Sequence, residues 1–109
     1  MIERKIESVW FEFEEWSEPH NENDDNSDVI FNLSDGTKWV ASFFTIQNII
    51  SLFRKNKETG ECLKGLYFCS TDMIIIETLN RESILKTIEN MIKENIIESY
   101  CSKVDSTAL

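Results

Sequence analysis

The sequence predicts an α+β fold: a mostly antiparallel sheet of about five to six strands, with two helices on one face. The predicted order of elements is βββ-α-ββ-α-β. Two observations favour this class: an Asp-Gly turn between two β-rich runs, and two apolar stripes with helical spacing. The chain has 109 residues, the size of one ordinary domain, so we expect a single domain over residues 1–109.

The first predicted strand covers residues 8–16. Its residues alternate between two sides: Val9, Phe11 and Phe13 on one, and Trp10, Glu12, Glu14 and Trp16 on the other. Strict alternation is typical of a half-buried strand. We therefore expect the first set to face the helices and the second set to face away from them.

Two hairpins follow in the prediction. Residues 28–33 and 38–44 flank Asp35-Gly36, a strong hairpin signal because glycine tolerates the positive φ that such turns need. Residues 65–69 and 73–78 flank a short polar stretch and predict a second hairpin. The run Met73–Ile76 has no polar side, which favours a central strand.

Two amphipathic helices are predicted, each after a good N-cap residue. Thr45 precedes a helix over 46–57, and Asn80 precedes a helix over 81–94. Residues 96–103 then predict a last strand, and 104–109 a frayed tail. The helical positions expected in the core are Ile49, Phe53, Ile84, Ile88 and Met91.

Negative charge is concentrated near the N-terminus. The net charge is −9, and residues 1–28 hold ten acidic side chains against two basic ones. Nucleic acids and anionic membranes are bound by clustered Lys and Arg, so we expect neither as a partner. The remaining possibilities are a basic protein partner, a cation, or a solvated acidic surface without a partner.

The stretch 17–27 contains the only proline and no apolar residue, which predicts an exposed, mobile, acidic loop. It is rich in oxygen ligands but lacks the spacing of a calcium-binding EF-hand loop, so no metal is expected. The single histidine, His20, lies in this loop and is interpreted as solvated rather than catalytic.

The three cysteines are Cys62, Cys69 and Cys101. An odd number, together with an N-terminus that lacks an apolar leader segment, predicts reduced thiols and a cytoplasmic location. Cys69 and Cys101 lie in apolar runs and are expected to be buried, whereas Cys62 lies in a polar segment and is expected to be exposed. No pair has the spacing of a zinc site.

Catalytic chemistry has few candidates in this sequence. Glu12 and Glu14 on one strand face would lie about 6.5–7 Å apart, a separation that a pair of catalytic carboxylates can use. No general acid is paired with them, and the glycines occur singly rather than in a phosphate-binding loop. We therefore predict no catalytic residue, no cofactor and no enzymatic activity.

A protein-binding surface is the better hypothesis for the first strand. Two tryptophans separated by two glutamates form a mixed aromatic and acidic face that suits a basic partner: Trp10, Glu12, Glu14 and Trp16. The alternate residues of the third strand, from Lys38 to Phe44, extend this face. Two alternatives stay open: these side chains simply cover a solvated sheet, or they form a homodimer interface.

The Trp-Phe-Glu-Phe-Glu-Glu-Trp strand, the Asn32–Trp39 hairpin and the acidic bias together resemble small acidic immunity proteins of bacterial polymorphic toxin systems. This resemblance implies a compact α+β inhibitor that blocks a toxin domain, and it assigns no individual residue a role. The leading hypothesis is a non-enzymatic protein-binding module that occludes a basic surface. A homodimeric structural or regulatory domain is the alternative, ahead of a small-molecule enzyme.

Overall fold

The computed structural model describes residues 3–104 and confirms the α+β class. Its five strands are β1 (Ile6–Phe11), β2 (Asn26–Leu33), β3 (Lys38–Thr45), β4 (Met73–Ile76) and β5 (Ser102–Lys103). They form one sheet in the order β1-β2-β3-β4, and β5 also pairs with β3. All of these pairings are antiparallel except β3–β4, which is parallel.

The β2–β3 hairpin is confirmed. The Leu33 amide donates to the Thr37 carbonyl at 2.9 Å, and Gly36 adopts a φ of 87°, which favours glycine at this position. Hydrogen bonds from the side chain and amide of Thr37 lower the pKa of the Asp35 carboxyl from its ordinary value. The carboxylate of Asp35 therefore helps to order the turn.

The first strand ends earlier than predicted, because Glu12–Glu15 form a 3-10 helix. In this helix the amide of Phe13 donates to the buried Ser27 hydroxyl at 3.1 Å. This 3-10 helix keeps both Phe11 and Phe13 in the core. It also ends the pairing of the chain with β2, since Phe11 is the last residue of β1 that pairs with β2. The predicted strand over 8–16 is therefore wrong beyond Phe11.

The second predicted hairpin is wrong. Residues 66–69 form no strand, and β4 pairs with β3 in parallel, so the chain between them is a crossover connection. Consequently β4 lies at an edge of the sheet rather than at its centre. The run Met73–Ile76 is apolar, but it is not buried on both sides of the sheet, because Ile75 is 55% exposed.

The helices are α1 (Ile46–Thr59), a short turn α2 (Glu61–Gly65), α3 (Arg81–Lys93) and the short α4 (Ile97–Tyr100). Both predicted N-caps are confirmed. The Thr45 side chain accepts from the Asn48 amide, and the Asn80 side chain accepts from the Ser83 amide. Local capping chemistry therefore sets where α1 and α3 begin.

Only α3 supplies the helical core positions that the sequence predicts. Ile84, Ile88 and Met91 pack with Phe31 and other residues on one side of the sheet. Ile49 and Phe53 of α1 are half-buried and lie outside this cluster, contrary to expectation. The crossover that contains α1 instead contributes Phe68, which packs on Phe44 at 5.6 Å between ring centroids.

The turn α2 contains three consecutive non-glycine residues with left-handed backbone angles. Cys62, Leu63 and Lys64 have φ of 51°, 51° and 58°. The next residue, Gly65, lies against α1, where an added Cβ would come within 2.7 Å of the Phe53 carbonyl oxygen. Glycine is therefore required at position 65, whereas the three preceding residues carry backbone strain.

We expect Lys64→Gly to raise the free energy of unfolding by about 1 kcal/mol, because glycine adopts left-handed angles without the Cβ clash. The exposed Lys86 in the middle of α3 is the matched control, since Lys86→Gly should lower the same quantity by about 1 kcal/mol. Urea denaturation of both variants measures the two effects. Equal signs would contradict the left-handed turn.

The C-terminal segment also differs from the prediction. Residues 97–100 form α4, so the predicted strand over 96–103 is reduced to β5. The Arg4 side chain donates to the Glu98 carboxylate at 3.0 Å and lowers the pKa of that carboxyl from its ordinary value. Most of the predicted frayed tail, 105–109, lies outside the described residues.

The cysteine environments are partly as expected. Cys101 is buried, and burial, followed by the nearby Asp72 carboxylate, raises the pKa of its thiol to about 11. Cys69 is exposed and Cys62 is half-buried, so those two predictions are reversed. The exposure of Cys69 follows from the absence of the second hairpin, in which Cys69 was expected to lie on a strand.

Candidate functional site

The side of the sheet that faces away from α3 carries an apolar row across three strands. Trp10 pairs with Ile30, and Ile30 pairs with Val40, so their side chains lie next to one another on this side, here called the outer face. Trp10 is 42% exposed, and Ile30 and Val40 are half-buried. The row is therefore an accessible apolar surface with an aromatic residue at its end.

Two carboxylates border this row. Asp28 lies opposite Ser42, whose hydroxyl donates to the Asp28 carboxylate at 2.6 Å. The Asp28 amide in turn donates to the Glu12 carboxylate at 3.2 Å. Within residues 3–104 neither Glu12 nor Asp28 forms an ion pair. Both negative charges are therefore available to a cationic partner.

Glu14 has a different environment from Glu12. Both of its carboxylate oxygens accept from the Arg81 guanidinium, at 2.6 and 3.0 Å. The same guanidinium lies 4.6 Å from the centre of the Phe11 ring. Glu14 therefore links the 3-10 helix to the start of α3, and the Arg81 guanidinium balances the negative charge of its carboxylate.

The four predicted site residues do not share one strand face. Trp10 and Glu12 border the outer face, Glu14 is paired with Arg81, and Trp16 follows the 3-10 helix with 37% of its surface exposed. The structure adds Ile30 and Asp28, which sequence alternation alone did not single out. The signal that identifies them is the strand register, which depends on pairing between β1 and β2.

Hydrogen bonds attach the acidic loop, residues 17–27, to the rest of the fold. Asp24 accepts hydrogen bonds from the side chains of Asn48 and Ser51 at 3.2 and 2.9 Å. The Asp25 amide donates to the Thr45 hydroxyl, and the Leu79 amide donates to the Glu22 carbonyl. These contacts join the loop to the beginning of α1 and to the segment before α3, contrary to the predicted mobility.

His20 also makes specific contacts. Its Nε2 donates to the Leu79 carbonyl at 2.7 Å, and its ring lies 4.2 Å from the Phe13 ring, measured between centroids. The prediction of a solvated histidine is therefore wrong. In this position His20 links the loop to the segment that precedes α3.

A further concave region lies on the α3 side of the sheet. It is an open groove of about 620 Å³ lined by Glu3, Arg4, Lys5, Ile6, Glu89, Asn90, Ile92 and Lys93. Its charges have both signs, and Arg4 is already engaged by Glu98. The sheet separates this groove from the outer face.

Comparisons with models of protein families, with curated proteins and with solved structures found no match. Among the described residues, no group of three or more His, Cys, Asp or Glu side chains is arranged to hold a metal ion. No helix in the described part of the chain is long and apolar enough to cross a membrane.

Proposed function

We propose that this chain is a non-enzymatic protein-binding module, of the immunity type, whose outer face occludes a basic surface of a toxin or another protein. The observation that supports it is the row of Trp10, Ile30 and Val40 beside the carboxylates of Glu12 and Asp28, neither of which forms an ion pair within residues 3–104. An apolar centre with a charged border is the usual composition of a protein interface.

The two parts of this surface have different roles in the proposed complex. Trp10 is the anchor, because a large aromatic side chain contributes most when its surroundings lose water on binding. Glu12 and Asp28 act over longer distances and speed the encounter with a basic partner. The net charge of −9 reinforces that attraction. Inhibition then follows from occlusion of the partner's surface.

We expect Trp10→Ala to weaken the complex by about 2 kcal/mol, roughly thirtyfold in Kd, mainly through faster dissociation. Glu12→Gln combined with Asp28→Asn should slow association and reduce its dependence on salt. The measurement is surface plasmon resonance at two salt concentrations. The binding partner is the protein encoded by the gene adjacent to the gene for this chain, and the experiment yields the association and dissociation rate constants.

Glu14→Gln is the matched control for the single variant Glu12→Gln, because each removes one negative charge but Glu14 is bound to Arg81 rather than placed at the outer face. It should change the association rate and its salt dependence less than Glu12→Gln does, since it alters the net charge without removing a carboxylate of the proposed interface. Trp16→Ala tests whether the interface extends past the 3-10 helix, since Trp16 lies beyond that helix. Binding that depends on Trp16 but not on Trp10 would move the interface away from the outer face. Turnover of a small molecule without any protein binding would contradict the proposal itself.

A further inference from the structure

The edge strand β4 has backbone groups that point away from the sheet. The Ser42 amide donates to the Asp72 carbonyl at 2.9 Å, and in the parallel register Phe44 lies beside Ile75. Alternate residues of a strand direct their N–H and C=O groups to the same side, so Ile74 and Ile76 face β3. Met73 and Ile75 therefore direct their backbone groups outward, where no strand within residues 3–104 pairs with β4.

The two edges of the sheet differ in how they are protected. At the other edge, β1 has a register irregularity between Ile6 and Ser8, with the exposed, charged Glu7 between them. Bulges and charges of this kind discourage pairing with another chain. The strand β4 is a run of four apolar residues without charge, proline or glycine, and Ile75 is 55% exposed.

We propose that β4 pairs antiparallel with β4 of a second copy of this chain, across a twofold axis that passes beside Ile75. Ile75 then exchanges two backbone hydrogen bonds with its symmetry mate, and Met73 exchanges two with Glu77, the residue that directly follows β4, which satisfies groups that are open in the monomer. Two sheets join into one continuous sheet. Ile75 lies against its symmetry mate and is covered.

A second copy fits this edge because the strand is complementary to itself in that register. With Ile75 opposite Ile75, Met73 lies opposite Glu77, and Asp72 lies opposite Thr78. No carboxylate therefore faces another carboxylate, and the same patch serves both subunits, as a twofold interface requires. The Asp72 carboxylate is also engaged within its own chain, where it accepts from the Ser102 hydroxyl at 2.6 Å.

This interface is independent of the proposed toxin-binding surface. The sheet order places β1, which carries Trp10, at the opposite edge from β4. The dimer therefore leaves the row of Trp10, Ile30 and Val40 open. Loss of one association does not require loss of the other, so the two proposals are tested separately.

Sedimentation velocity over protein concentrations from micromolar to millimolar tests the dimer. The wild-type chain should shift from the mass of one chain to twice that mass. Ile75→Lys places two cations together at the twofold axis and should raise the dimer dissociation constant at least about tenfold. Ile50→Lys on α1 is the matched control, because Ile50 is also exposed, at 41%, and should leave dimerisation unchanged.

Amide hydrogen exchange supplies a second measurement that does not depend on any variant. The amides of Met73 and Ile75 should become protected as the wild-type concentration rises, while those of Ile74 and Ile76 are protected throughout by β3. A mass of one chain at every concentration overturns the proposal. A dimer that survives Ile75→Lys, or one that Trp10→Ala disrupts while Met73 and Ile75 stay unprotected, overturns it as well.

Discussion

Replacing Ile88 with alanine is expected to lower the free energy of unfolding by about 2–5 kcal/mol. Ile88 is 1% exposed and lies in the cluster where α3 meets the sheet. The substitution removes buried methyl and methylene groups and leaves a cavity in a close-packed cluster that cannot collapse fully. Urea denaturation, with a slope equal to that of the wild type, measures the change.

Ile46→Ala is the control for this variant. Ile46 belongs to the apolar stripe of α1 but is 55% exposed, so the same substitution should change stability by less than about 0.5 kcal/mol. The sequence alone treats the stripes of α1 and α3 as equivalent. Equal losses for Ile46→Ala and Ile88→Ala would show that α1 is buried, contrary to the structure.

Thr45→Val is expected to lower the free energy of unfolding by about 2–3 kcal/mol, although the two side chains have nearly the same shape. The Thr45 hydroxyl is completely buried and accepts from the amides of Asn48 and Asp25, at 3.1 and 3.2 Å. Valine leaves both donors without an acceptor. The same variant should speed amide exchange at Asp25, because the Asp25 amide loses its acceptor.

Thr45→Ser distinguishes the effect of the hydroxyl on stability from the effect of the methyl group. Serine retains the acceptor and loses one buried methyl, which costs about 1 kcal/mol. It should therefore be more stable than Thr45→Val, with exchange at Asp25 close to that of the wild type. If serine and valine destabilise equally, the hydroxyl does not hold the loop.

Local interactions explain which elements the sequence predicted correctly. The β2–β3 turn depends on Asp35, Gly36 and Thr37, which are adjacent in the chain. The N-caps of α1 and α3 depend on Thr45 and Asn80 and on amides three residues later. Such contacts can be inferred from a short window of sequence.

Distant contacts explain where the sequence prediction failed. The alternation of residues 8–16 continues past Phe11, yet the strand stops there. Phe13 bonds to Ser27, 14 residues away, and Glu14 bonds to Arg81, 67 residues away. An alternating pattern contains no information about either partner. For the same reason, the predicted binding face was split, with Glu12 on the outer face and Glu14 bound to α3.

The sequence by itself determined the α+β class, the central hairpin, the beginnings of both long helices and the acidic character of the chain. These follow from turn chemistry, capping and composition, each of which acts within a few residues. Only the tertiary structure decided that β4 is a parallel edge strand, that α3 rather than α1 supplies the core, and that Trp10 lies beside Ile30 and Val40. The physical reason is that strand pairing and helix packing depend on which distant surfaces become neighbours, and the pattern of a single segment is compatible with several such pairings.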